Sequence, residues 1–117
     1  MNPVKFVTQL YNSVDARSVA DLAHFLADDV SFRFANAQPL KGKDAVLAAN
    51  ASFFESIADM SHQIDQVWGE GDDLICNGQV NYTRLDGSQF SVPFATILKL
   101  QCDRIVNYLI YADVSAL

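Results

Sequence analysis

Cysteine, proline and glycine are scarce in this chain, and basic residues are few. The 117 residues include two cysteines, three prolines and five glycines, and eight Lys or Arg against fourteen Asp or Glu give a net charge of −6. Phosphate binding requires clustered Lys and Arg side chains, and the basic residues here are scattered along the chain. We therefore do not expect this protein to bind nucleic acid.

The two cysteines, Cys76 and Cys102, stand alone. No CxxC motif and no His-rich cluster accompanies them, so the sequence predicts no zinc site. Each falls in an apolar strand pattern, where a reduced thiol behaves as a small hydrophobe. There is no phosphate-binding loop either, and we therefore expect neither a metal nor an organic cofactor.

Long apolar runs are also missing. No stretch approaches the roughly 20 apolar residues that cross a bilayer, and the opening MNPVKF does not resemble a signal peptide. The sequence therefore predicts a cytoplasmic protein without membrane contact. Half of the residues are hydrophobic, which is enough for a packed core, and the length fits a single domain over residues 1–117.

The first half of the chain has helical periodicity. Asn2 and Pro3 predict a cap and a first turn, followed by an apolar stripe at helical spacing. A second helix is predicted from Ser18 to about Asp28-Asp29, where acids at the wrong end of the helix dipole mark its end. After a short strand over Val30–Phe34, a third helix is predicted over Lys43–Asp59.

From Ser61 onwards the period changes from 3.6 to 2, which predicts strands. Four strands are separated by turns at Gly69–Asp72, Asp86-Gly87 and Gln101–Arg104, and the last runs over Ile105–Asp113. The predicted order is α-α-β-α-β-β-β-β, an α+β fold. Because long strands twist, we expect a curved antiparallel sheet, cone-shaped and wrapped on the three N-terminal helices, with a cavity inside.

Two segments resemble a known superfamily. FLADDVSFRFANAQPLKGKDAV (Phe25–Val46) is similar to the opening, and VPFATILKLQCDRIVNYLIYADVSAL (Val92–Leu117) to the closing hairpin, of the superfamily of nuclear transport factor two, ketosteroid isomerase and the SnoaL-like polyketide cyclases. The resemblance covers nearly the whole chain. It implies a cystatin-like α+β barrel with an internal apolar pocket, and the family habit of pairing sheets implies a homodimer.

The resemblance also implies one catalytic residue. In SnoaL-like cyclases an aspartate eight residues after the isoleucine of the final turn is an acid/base, and Asp113 stands eight residues after Ile105. Their histidine on the preceding strand corresponds to a position near Lys99. In ketosteroid isomerases the carboxylate base corresponds to Phe34, which is apolar, so the resemblance does not extend to that base.

Two residues are candidates for acid/base catalysis, His62 and Asp113. By alternation His62 shares a strand face with Ile64 and Trp68, so its imidazole could act as a general base in the cavity. The alternative is a structural histidine bonded to a backbone carbonyl. Asp113 alternates with Tyr111, and burial of that face would raise its pKa. The alternative is a cap on the strand end.

The same patterns predict the apolar lining of the ligand site and the outer face of the sheet. Seven aromatic side chains are predicted to line the ligand site: Tyr11, Phe34, Phe54, Trp68, Tyr82, Phe94 and Tyr111. A polar row on one strand predicts a solvated face or a dimer contact: Asn77, Gln79, Asn81 and Thr83.

Two functions remain open from the sequence. The first is acid/base chemistry, of isomerase, cyclase or hydrolase type, on a small oxygenated hydrophobic ligand, with His62 and Asp113 moving protons. The second is a non-catalytic module, on the same fold, that binds a small ligand or dimerises. The side of the sheet on which His62 and Asp113 lie distinguishes them.

Overall fold

The computed structural model of the protein describes residues 2–117, in three helices and six strands. The helices are α1 (Pro3–Asp15), α2 (Val19–Ala23) and α3 (Lys43–Glu55). The strands are β1 (Leu26–Phe34), β2 (Leu40–Lys41), β3 (Asp59–Glu70), β4 (Asp73–Thr83), β5 (Gln89–Gln101) and β6 (Arg104–Ala112). The predicted α+β class and element order are confirmed, with the two-residue β2 added.

Helix α1 begins as the sequence predicts. The side chain of Asn2 accepts a hydrogen bond from the backbone N–H of Lys5 at 3.1 Å, and Pro3 occupies the first turn. One face of the helix is buried, through Val7, Leu10, Tyr11 and Val14. This face lies against the sheet and brings Tyr11 into the interior. No helix among residues 2–117 is long and apolar enough to span a membrane.

Two helix ends were predicted too late. Helix α2 stops at Ala23, and Asp28-Asp29 lie within strand β1. Leu22, Leu26 and Val30 are all buried, and their four-residue spacing imitates a helical stripe although the chain is already extended. Helix α3 ends at Glu55, because Ala58 donates its backbone N–H to Thr83 and so starts the pairing of β3 with β4.

The six strands form one curved sheet that does not close on itself. The strand order is β2-β1-β6-β5-β4-β3. All neighbouring pairs are antiparallel except β1 with β6, which are parallel. Helix α1 packs on β3 at one end of this order, whereas α3 packs on β1 and β2 at the other. The concave side between the two helices is the buried side of the domain.

Two β-bulges change which side chains face the interior. In β3 the pairing passes from Ile64–Gly78 to Gln66–Asn77, so Asp65 is an additional residue. Side-chain alternation is shifted beyond it, and Trp68 lies on the outer face, 49% exposed. In β6 the pairing passes from Leu100–Ile105 to Lys99–Asn107, which shifts the following residues in the same way.

Candidate functional site

An aromatic cavity opens on the concave side of the sheet, between α1 and α3. Its volume is about 260 Å³. Most of its wall is apolar, and its polar side chains are three buried tyrosines, one histidine and two amides. The lining residues are Tyr11, Val14, Phe32, Phe34, Ala37, Gln38, Leu40, Ala49, Asn50, Phe53, Phe54, Met60, His62, Val80, Tyr82, Phe94, Tyr108, Ile110 and Ala112.

His62 is held in this cavity by Asp15, the last residue of α1. One carboxylate oxygen of Asp15 lies 2.5 Å from Nδ1 of the His62 ring, and the other accepts the backbone N–H of His62 at 2.9 Å. The His62 side chain is only 8% exposed and that of Asp15 is 25% exposed. Both carboxylate oxygens are thus used to fix a single residue, including the orientation of its ring.

Aromatic rings fix the imidazole from two further sides. The ring of Tyr11 lies over it with centroids 4.4 Å apart, and Phe94 meets it edge to face at 5.0 Å. In a neutral imidazole one ring nitrogen donates and the other accepts. When the imidazole is neutral, the Asp15 carboxylate requires the proton on Nδ1, so Nε2 is the accepting nitrogen, and it has no hydrogen-bond partner among residues 2–117. This arrangement suits proton abstraction from a bound ligand.

A buried chain of hydroxyl groups lies beside the imidazole. Tyr108 donates to the hydroxyl of Tyr11 at 3.5 Å, and Tyr11 and Thr96 share a hydrogen bond of 2.5 Å. Burial raises the pKa of the Tyr11 and Tyr108 phenols well above the ordinary value, and it raises the pKa of Tyr82 to about 12. These phenols are therefore neutral near pH 7 and can donate hydrogen bonds.

Thr96 pairs across the sheet with Cys76, whose thiol is buried. Burial raises the pKa of that thiol to about 11, so it stays protonated and unreactive near pH 7. Cys102 is exposed in the turn before β6. Within residues 2–117 no group of three or more His, Cys, Asp or Glu side chains is placed to hold a metal ion.

The fold agrees with a family match. The sequence model of the SnoaL-like domain matches residues 7–108 of this chain. The chain belongs to the SnoaL-like domain family. A comparison with curated proteins gives no match.

Solved structures confirm the fold of this SnoaL-like domain. An NTF2-like protein of unknown function from Burkholderia pseudomallei has a TM-score of 0.88 at 20% identity, over 99% of this chain and 94% of its own. A protein with a ketosteroid isomerase-like fold from Catenulispora acidiphila, solved with trimethylamine, has a TM-score of 0.86 at 18% identity, over 95% and 87%. An LEH-like epoxide hydrolase from M. tuberculosis has a TM-score of 0.82 at 12% identity, over 96% and 83%.

Six of the predicted site residues line the cavity of the SnoaL-like domain. They are Tyr11, Phe34, Phe54, His62, Tyr82 and Phe94. Two predicted lining residues, Trp68 and Tyr111, do not, since they are 49% and 53% exposed on the outer face. The two bulges are the cause. Each inserts one additional residue into its strand and so reverses the inward or outward direction of the side chains that follow it.

Asp113, the second candidate for acid/base catalysis, lies outside the cavity that holds His62. It follows the end of β6, is exposed, and does not line the cavity. Its carboxylate accepts hydrogen bonds from the hydroxyl of Ser115 at 2.6 Å and from the backbone N–H of Ser115 at 3.1 Å. These bonds lower the pKa of Asp113. The alternative given above, an aspartate that caps the strand end, describes this residue.

Sequence reasoning missed Asp15, Thr96 and the two amides, Gln38 and Asn50. A signal for Asp15 was present, because it follows Tyr11 by four residues and therefore shares its helix face. Its partner lies 47 residues away along the chain, so nothing local indicated a bond. Gln38 belongs to the loop between β1 and β2, and Asn50 to α3, and both were predicted only as parts of those elements.

Proposed function

We propose that this SnoaL-like domain transfers a proton on a small, apolar, oxygenated ligand, with His62 as the general base and Asp15 as the residue that positions it. The observation that carries the proposal is the accepting Nε2 of His62, in a cavity whose remaining wall is largely aromatic. The largely apolar surroundings lower the local dielectric constant, which strengthens each hydrogen bond made there.

The chemistry that fits is proton abstraction next to a carbonyl group. Nε2 takes the proton, the C–H electron pair forms a carbon–carbon double bond, and the carbonyl electrons move to oxygen, giving an enolate and an imidazolium. The imidazolium then returns the proton to carbon. Tyr11 accepts from Tyr108, and with Thr96 as the donor of their shared bond the Tyr11 phenol is the donor available to the developing oxyanion. The Asp15 carboxylate stabilises the imidazolium at close range.

Deuterium exchange tests this step without knowledge of the natural substrate. We expect the protein to accelerate exchange at the carbon next to the carbonyl of 4-methylacetophenone in D₂O, followed by proton NMR. His62→Gln should reduce the rate by about a hundredfold or more, the usual contribution of a general base. His24→Gln is the matched control, because His24 follows α2 and does not line the cavity.

Two results would contradict the proposal. An exchange rate that is unchanged in His62→Gln would show that His62 is not the general base. Binding of the ketone to the folded wild-type protein without any acceleration would favour the other function named from the sequence, a small-ligand-binding module.

The outer face of the sheet supports a further part of the proposal, a homodimer. Four apolar side chains lie directly across from one another on adjacent strands, in the order Trp68, Ile75, Ile97 and Leu109. The first three are 49%, 40% and 38% exposed. A row of this kind on a sheet face is typical of an interface. The predicted polar row, Asn77 to Thr83, lies on the same face and would contribute to its rim.

A charge in the centre of this row should dissociate the dimer. Ile97→Glu places two carboxylates in a twofold interface, and we expect the dimer to weaken by about 2 kcal/mol or more, roughly thirtyfold in dissociation constant. Sedimentation equilibrium measures the change. Leu85→Glu is the control, since Leu85 is 69% exposed in the turn between β4 and β5. A wild-type monomer, or a dimer unaffected by Ile97→Glu, would contradict this interface.

A further inference from the structure

Polar groups of the cavity come from both helices that flank it. At one end are His62 on β3 and Tyr11 on α1, and at the other is Asn50 on α3. Helix α1 packs on β3 and helix α3 packs on β1, and these strands are separated by β6, β5 and β4 in the sheet. The wall between the two ends is aromatic. A ligand that reaches from α1 and β3 to α3 therefore meets His62 and Tyr11 on one side and Asn50 on the other.

Asn50 lines the cavity with a side-chain amide whose oxygen can accept a hydrogen bond from a ligand. Its amide nitrogen donates to the backbone carbonyl of Val46 at 2.9 Å, and this bond fixes the orientation of the side chain. The carbonyl oxygen Oδ1 makes no hydrogen bond within residues 2–117. An acceptor held in this way in a mostly apolar wall selects a ligand with an O–H or N–H group.

The volume limits the size of the ligand. At roughly 30 Å³ for each water-sized group, the 260 Å³ cavity holds about nine such groups. That is one ring with one or two short substituents. On the α3 side the ring of Phe53 meets Phe34 at 5.0 Å and Tyr82 at 5.8 Å, both edge to face. These three rings form part of the cavity wall on the α3 side, where a second fused ring would meet them.

We infer that the natural ligand is a single-ring compound with a carbonyl oxygen at the His62 end and a hydroxyl or N–H donor at the Asn50 end. The assignment of the carbonyl end rests on the proposed function. The size limit and the donor at the Asn50 end rest on the cavity itself. A hydroxylated single-ring ketone meets both conditions, whereas a ligand of several fused rings exceeds the size limit.

Three probes separate these conditions in a binding titration by NMR. They are 4-hydroxyacetophenone, 4-methylacetophenone, which replaces the donor with a methyl group of similar size, and 6-hydroxy-2-acetylnaphthalene, which adds a ring. We expect the hydroxy compound to bind about tenfold more tightly than the methyl compound. The naphthalene should bind at least about tenfold more weakly than the single-ring hydroxy compound, because it overfills the cavity.

Variants assign each preference to a residue. Asn50→Leu keeps the side-chain volume and removes the acceptor, so the preference for the hydroxy compound should fall to about one, with binding of the methyl compound unchanged as the control for folding. Phe53→Ala removes the closing ring and should admit the naphthalene. Failure of all three probes to bind, a preference that survives in Asn50→Leu, or a wild-type protein that binds the naphthalene as tightly as the single ring would each overturn the inference.

The same probes distinguish this inference from the proposed function. His62→Gln should abolish deuterium exchange but keep the size and donor preferences in binding. If the wild-type protein shows these preferences without exchange, proton transfer fails and the ligand assignment stands. If it exchanges the naphthalene as fast as the single ring, the ligand assignment fails and proton transfer stands.

Discussion

Replacing Gly78 with alanine is expected to lower the free energy of unfolding by more than about 3 kcal/mol, or to prevent folding. A Cβ atom at this position would lie 1.8 Å from the backbone oxygen of Gln63 and 3.1 Å from Cα of Ile64. Neither is the end of a flexible side chain. Gly78 pairs with Ile64, next to the additional residue Asp65, so relief of the clash requires the bulge itself to move.

The neighbouring position provides the control for this prediction. Gln79→Ala lies on the same strand with its side chain exposed on the outer face, and we expect a change within about 0.5 kcal/mol. Urea unfolding of both variants, followed by tryptophan fluorescence, measures the difference, since Trp68 lies beyond the same bulge. A Gly78→Ala protein as stable as wild type would show that the strands β3 and β4 can separate locally at little cost.

The bulge at Gly78 also explains why the sequence predicted the fold better than the orientation of side chains. Helix and strand periods differ strongly, so the order of elements followed from them. Side chains alternate between the two faces of a strand, so the direction of each residue is predicted from that of its neighbours. One additional residue reverses the direction of all that follow. Trp68 and Tyr111 both lie beyond such a residue. A glycine within an alternating strand was the available sign of a bulge.

Residues before the bulges, or on regular strands, were placed correctly. His62 precedes Asp65, and Tyr82 and Phe94 lie on β4 and β5, whose mutual pairing is uninterrupted. Tyr11 belongs to a helix stripe, where a bulge in the sheet has no effect. The aromatic cavity was therefore predictable, whereas the acid at the end of the last strand was not.

The partner of His62 was beyond sequence reasoning for a different reason. A carboxylate at the C-terminal end of a helix is unfavourable for the helix dipole. Nothing near Asp15 in the sequence indicates a contact that offsets this cost. Its two hydrogen bonds to one residue of β3 exist only because α1 packs along that strand. The cost at the helix end is offset by a contact that forms only in the tertiary structure, and this is the pattern expected of a functional position.

Asp15→Asn is expected to reduce deuterium exchange by about a hundredfold or more while leaving the domain folded. The carboxylate accepts both the backbone N–H and the Nδ1–H of His62, but an amide has only one oxygen. If that oxygen stays on the backbone N–H, the amide NH₂ faces Nδ1 and donates to it. The imidazole proton must then move to Nε2, and the nitrogen that faces the ligand changes from an acceptor to a donor.

The nitrogen-15 NMR shifts of the His62 ring report this change without any substrate. In wild type at neutral imidazole the proton should be on Nδ1, and in Asp15→Asn on Nε2. Asp113→Asn is the matched control, an identical substitution at an exposed carboxylate outside the cavity, and it should alter neither the shifts nor the exchange rate. Asp15→Asn with the wild-type tautomer and rate would show that Asp15 only joins α1 to β3. A loss of exchange in Asp113→Asn alone would instead support Asp113 as the acid/base residue that the family resemblance implies.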